Sequence, residues 1–95
     1  MNEIQSSPLV SICIPAYNSG AFIHRVLESC VNQTYQNIEI VVGDNASMDD
    51  TMEIIEKYAK RDSRIKFFQN ESNIGSGNNY LECAKHASGY FMQAL

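Results

Sequence analysis

The stretch "LVSICIPAYNSG", Leu9–Gly20, changes character at its midpoint. Leu9–Ile14 is short, rich in β-branched side chains and set between Pro8 and Pro15, with Ser11 its only polar member. A run of this kind reads as a strand covered on both faces. Pro15–Gly20 carries Pro, Asn, Ser and Gly and reads as a loop. A helix follows in "AFIHRVLESCVNQ". Phe22, Val26 and Cys30 recur at i, i+4 and i+8 with Ile23 and Leu27 beside them, which makes one apolar face. His24, Arg25, Glu28 and Ser29 take the wet side.

The alternation continues along the chain. "NIEIVV", Asn37–Val42, is a second strand, and it ends at the turn-rich "GDNAS". Ser47 with Asp50 three residues on predicts a capping box, and Asp49 and Asp50 suit the positive end of a helix. That helix runs to about Lys60, with Ile54, Ile55, Tyr58 and Ala59 on or near its buried face. "RIKFFQ" is a third strand and "NESNIGSGNN" a third loop. A third helix is predicted from about Asn79 to His86, with Tyr80, Cys83, Ala84 and Ala87 as packing residues. "SGYFMQAL" opens a fourth strand. Strand and helix repeated three times, then a strand, predicts an α/β fold: a three-layer α/β/α arrangement on a mainly parallel sheet with right-handed crossovers. Residues 1–7 read as a polar leader and 8–95 as one domain or one part of a domain.

Composition narrows the function. The chain has 95 residues, seven Lys and Arg against 11 Asp and Glu, and a formal charge of −4. Nucleic-acid backbones need clustered cations, so a nucleic-acid partner is not expected. An anionic small ligand stays open, because backbone N–H groups and metal ions hold phosphates without a basic surface. Cys13, Cys30 and Cys83 are odd in number and widely spaced, and read as buried free thiols rather than a disulfide framework or a zinc cluster. The first ten residues lack the basic and apolar regions of a signal peptide, and no stretch approaches 18 apolar residues. The default expectation is a cytoplasmic chain, with any membrane association made by sequence outside it.

In open parallel sheets, ligands bind beyond the C-terminal ends of the strands. Three polar segments fall there: Pro15–Gly20, Gly43–Ser47 and Asn70–Asn78. Together they carry Tyr17, Asn18, Asp44, Asn45, Ser47 and Asn73, which can exchange hydrogen bonds with a ligand and stack a ring. The same residue types are also ordinary turn formers. Established phosphate and nucleophile motifs are absent. Gly20 stands alone in the first loop, "GSG" at Gly75–Gly77 lacks the third glycine of a dinucleotide fingerprint, and there is no P-loop and no G-x-S-x-G. His24 and His86 fall within helices and read as surface residues.

Taken jointly, "VSICIPAYNSG", then "QTYQNIEIVVGDNASMDDT", then "NIG" resemble the inverting nucleotide-sugar glycosyltransferases of family 2, which have a GT-A fold. The resemblance covers residues 8–95 and rests on Pro15–Asn18, Gln33–Glu39 and Asp44–Thr51. It implies transfer of a sugar from a nucleoside-diphosphate donor, often UDP-linked, to a glycan, lipid or other acceptor. It implies nucleotide-binding roles for Pro15, Ala16, Tyr17, Asn18, Asp44, Asn45, Ser47, Asn73 and Gly75. Pro15, Ala16 and Tyr17 would lie against base and ribose, and Asp44 would accept a hydrogen bond from the base. It also implies Mn²⁺ or Mg²⁺ held by a D-x-D motif against the diphosphate. By the family's spacing the first of those acids would follow Leu95, so neither the metal ligands nor the general base are expected in this chain.

The expectation is therefore the nucleotide-binding part of an incomplete GT-A domain, inactive in transfer by itself. Its apolar edge at Phe91 and Leu95 would favour self-association. A non-catalytic nucleotide-binding or interaction module with the same half-fold is the alternative. Two departures stand out. Gly43 occupies a place usually held by a β-branched residue, and either a close backbone approach to a ligand or plain looseness would follow. Tyr80 and Leu81 stand where the family often has Arg and Asn, so a contact to the diphosphate is missing.

Overall fold

A computed structural model describes residues 8–93, the last four by their backbone alone. The elements are β1 (Val10–Ala16), α1 (Ile23–Val31), β2 (Ile38–Asp44), α2 (Thr51–Arg61), β3 (Ile65–Gln69), α3 (Ser76–His86) and β4 (Tyr90–Gln93). The four strands form one parallel sheet in the order β3-β2-β1-β4. The chain steps outward from β1 to β3, then crosses back to pair β4 with the other side of β1. The strand order therefore reverses beside β1, which makes the β1–β4 boundary the switch point of a Rossmann-like, three-layer α/β/α fold. The leader expected over residues 1–7 and the apolar edge expected at the side chains of Phe91 and Leu95 lie outside the described residues.

Strand parity divides the core in two. Ile12, Ile14 and Ala16 of β1, Ile38, Ile40 and Val42 of β2 and Ile65 of β3 pack against Ile23, Leu27 and Cys30 of α1 and Ile55 and Tyr58 of α2. On the opposite face Cys13, Val41 and Cys83 form a smaller core, with Phe68 and Ala87 against it. All three cysteines are free and buried, as expected. Burial pushes the Cys13 and Cys83 thiols up to about 11, so they pack as small apolar side chains.

Gly43 belongs to that second core. A Cβ built on it would lie 2.5 Å from Phe68 Cζ and 2.7 Å from Cys83 Sγ. The glycine thus lets α3 and Phe68 close on the sheet, and the place is tightly packed rather than loose. Behind it, at the N-terminal end of the sheet, Glu39 is 4% exposed. Its carboxylate accepts hydrogen bonds from Ser11 Oγ at 2.5 Å, from Lys66 Nζ at 2.9 Å and from the Ser88 N–H. Gly89 N–H donates to Ser11 Oγ at 2.7 Å, so one acid ties β1, β2, β3 and the turn into β4.

Three element boundaries differ from expectation. Phe22 was expected on the apolar face of the first helix, but α1 starts at Ile23 and Phe22 is 65% exposed just before it. Ile23, Leu27 and Cys30 are its buried residues, with Val26 and Val31 partly buried beside them. Ser47 does not cap α2, which begins at Thr51, and the side chain of Asp50 at the N-cap position makes no capping hydrogen bond. Asp49 takes the adjacent donors instead, accepting from Thr51 N at 3.0 Å and Gly20 N at 3.0 Å. The Thr51 hydroxyl on this carboxylate, more than any other contact, holds its pKa below the ordinary value. Finally, α3 starts at Ser76 rather than Asn79. Its first turn is written in poor helix formers, Ser76, Gly77 and Asn78, and is launched by Gly75 at φ 91°, a conformation that favours glycine.

Candidate functional site

The strand register brings the polar loops together at one end of the sheet. Ala16, Asp44 and Gln69 form the last row of β1, β2 and β3. Asn45 N donates to Ala16 O at 2.8 Å and Asn70 N to Asp44 O at 2.9 Å, which extends the ladder into the loops.

Asp44 is fully buried. One carboxylate oxygen accepts from Ser47 Oγ at 2.5 Å; the other accepts from Ser47 N at 3.0 Å and Gln69 Nε2 at 3.1 Å. A carboxylate offers about four lone pairs, so three of them are taken by the protein itself. Ser47 Oγ in turn accepts from Asn18 N at 2.8 Å, and Asn18 Oδ1 accepts from Met48 N at 2.8 Å. Asn18 sits at φ 47° and Ala46 at φ 64°. The first and second loops are thus locked to each other through Asp44 and Ser47.

A second network fixes the third loop. Asn45, 2% exposed, donates through Nδ2 to Asn73 Oδ1 at 2.9 Å and accepts at Oδ1 from Asn70 Nδ2 and from Ile74 N, both at 3.0 Å. Asn73 Oδ1 also accepts from Gly75 N at 2.8 Å, setting the turn into α3. Asn79, 2% exposed, accepts from Asn70 Nδ2 and donates to Gly43 O, each at 2.9 Å.

Above these networks lies an open cleft of about 360 Å³, lined by Pro15, Ala16 and Tyr17 from the end of β1 and by Ser76, Gly77, Asn79 and Tyr80 from the first turns of α3. It sits on the α3 face beside the switch point. Of the residues expected at the site, Pro15, Ala16 and Tyr17 line it. Asn18, Asp44, Asn45, Ser47, Asn73 and Gly75 do not; they form the hydrogen-bonded frame that holds the lining loops. Pro15 pairs with Gly43 on the α3 face, whereas Asp44 shares the opposite face with Val42. Ser76 and Gly77 fall in the Asn70–Asn78 segment expected at the ligand end and Tyr80 stands where the family often has Arg, yet these three and Asn79 were not singled out as site residues. Their position directly after the third strand, where the chain crosses to the switch point, is the signal that marks them.

Among the described residues, no three His, Cys, Asp or Glu side chains converge in a way that could hold a metal ion. Asp44 and Asp49 are committed to the loop contacts above, so the residues present do not fit a metal centre. No helix among the described residues is long and apolar enough to cross a membrane.

A family model described as glycosyl transferase family 2 matches residues 11–94. Chondroitin synthase of Escherichia coli is 42% identical over 73 residues, covering 76% of this chain and 11% of that protein. Among solved structures, a mannosyltransferase from Pyrobaculum calidifontis in complex with GDP-Man and Mn²⁺ superposes with a TM-score of 0.80 at 26% identity, over 86% of this chain and 25% of that one. TarS 1–349 of S. aureus in complex with UDP-GlcNAc gives 0.79 at 33% identity, over 88% and 26%. The chain spans less than a third of the length of curated relatives it matches.

Proposed function

Since the chain belongs to glycosyl transferase family 2, we propose that it forms the nucleotide-binding part of an enzyme that moves a sugar from a nucleoside-diphosphate donor to a hydroxyl of a glycan or lipid acceptor. One observation carries this reading: the cleft lies at the C-terminal end of β1, beside the switch point, where parallel α/β sheets take their ligands. Two of the structures it resembles carry GDP-Man and UDP-GlcNAc, which supports a purine or pyrimidine diphosphate sugar as donor.

In this reading Pro15, Ala16 and Tyr17 meet the nucleoside. Tyr17, 47% exposed, offers a ring face for a base. Asp44 acts from behind, holding Ser47 and through it Asn18. Asn45, Asn73 and Gly75 set the start of α3 and so the second wall of the cleft. No transfer step is assigned to the described residues.

The test is calorimetric titration of the chain with UDP and GDP, with and without Mn²⁺. Saturable binding of one of them is expected, weakened about tenfold by Tyr17→Ala through loss of stacking on the base. A folded chain that binds neither nucleotide overturns the proposal.

A further inference from the structure

The cleft holds no charge of its own. Its lining is Pro15, Ala16, Tyr17, Ser76, Gly77, Asn79 and Tyr80, with no Asp, Glu, His, Lys or Arg among them. The chain's seven cations lie elsewhere. Lys57, Lys60 and Arg61 occupy the second half of α2, Arg64 and Lys66 the entry to β3, and Lys85 the last turn of α3, all toward the opposite end of the sheet. Four of these six are ion-paired there: Arg61 with Glu28, Arg64 with Asp62, Lys66 with Glu39 and Lys85 with Glu82. Arg25 sits in the first turn of α1, a helix that packs on the other face of the sheet from α3. The end of the molecule that carries the cleft holds Asp44, Asp49 and Asp50 at the close of β2 and the entry to α2, with Arg25 its one cation among the described residues.

A volume of about 360 Å³ is at the low end for small-molecule pockets, roughly 300–1,000 Å³. It suits a nucleoside better than a whole nucleotide sugar. Two tyrosines border it from different elements, Tyr17 from the end of β1 and Tyr80, half-buried, from α3.

We propose that this cleft recognises the nucleoside and is nearly blind to its phosphates, and that Tyr80 is a specificity-determining residue which packs on the nucleoside opposite the Pro15–Tyr17 wall. This rests on the nucleotide-binding reading above and adds which portion of the donor the chain senses. A neutral wall of tyrosine, proline and glycine gains its free energy from ring contact and excluded water, not from charge. The first turn of α3 contributes only the positive end of a helix, worth about twofold to fivefold toward an exposed anion.

The experiment is titration of the full chain with uridine, UMP and UDP, and with guanosine and GDP, in EDTA at low and high salt. For the base that binds, the nucleoside and its diphosphate should differ in Kd by less than about fivefold. Tyr80→Ala should weaken both by the same factor, about tenfold, the loss of one base stack. Tyr80→Phe should retain both, with thermal melting to show that each variant is folded. A diphosphate preference above that fivefold limit, or Tyr80→Ala binding like the parent chain, overturns this inference and leaves the nucleotide reading standing. Binding of no nucleoside and no nucleotide overturns the nucleotide reading, and this inference with it.

Discussion

Ala46 is a non-glycine residue at φ 64°, in the turn between Asp44 and Ser47. The left-handed region costs a Cβ-bearing residue about 1–2 kcal/mol, and part of that returns as backbone entropy when glycine replaces it. Ala46→Gly should therefore stabilise the chain by about 1 kcal/mol, read as a raised midpoint in urea unfolding with unchanged slope. Gly43 is the opposite case. A Val there would drive Cβ into Phe68 and Cys83, and Gly43→Val should destabilise by about 1–3 kcal/mol through overpacking. Both residues sit in the stretch that carries the family resemblance, yet neither role was legible there. A positive φ belongs to the turn's closure by Ser47 on Asp44, and the crowding at Gly43 comes from a helix much later in the chain.

At the scale of elements, the order and kinds of strand and helix were readable because hydrophobic period and turn chemistry are local. Boundaries failed where a residue had two uses. Ser47 has the right spacing to cap α2, but its hydroxyl is taken by Asp44 and Asn18, and the helix starts four residues later. Asp44→Ala would leave the Ser47 N–H and hydroxyl and the Gln69 amide without their buried acceptor. With unmet donors costing about 1–3 kcal/mol each before relaxation, a net loss of about 3 kcal/mol is expected in the same unfolding assay. Asp44→Asn should cost less, because one acceptor oxygen survives. If the two substitutions cost the same, Asp44 does not act through these bonds.

For the whole molecule, Glu39 links the sheet to the solution pH. Burial pulls its pKa up, but hydrogen bonds from Ser11, Lys66 and the Ser88 N–H, with the Lys66 charge, outweigh that and lower it to about 2 from 4.5. A carboxyl depressed on folding contributes stability above its unfolded pKa and loses it as pH falls through the folded one. Stability should thus drop between about pH 4.5 and 2 by an amount of the order of 3 kcal/mol from this group. Glu39→Gln should be less stable at pH 7 and should flatten that acid limb in denaturant melts taken at several pH values. What the sequence determined by itself was the alternating element order, the three free thiols and the loops that carry the family resemblance, since each is written in neighbouring residues. Only the tertiary structure decided which loop residues face the cleft. All seven positions of β2 are buried, so its hydrophobic pattern hides its parity, and nothing local says that Asp44 points away from the α3 side. The crossover from β3 to β4 then lays α3 against β1 and brings Tyr80 to the cleft that Pro15 and Tyr17 line, a juxtaposition that exists only once the sheet has assembled.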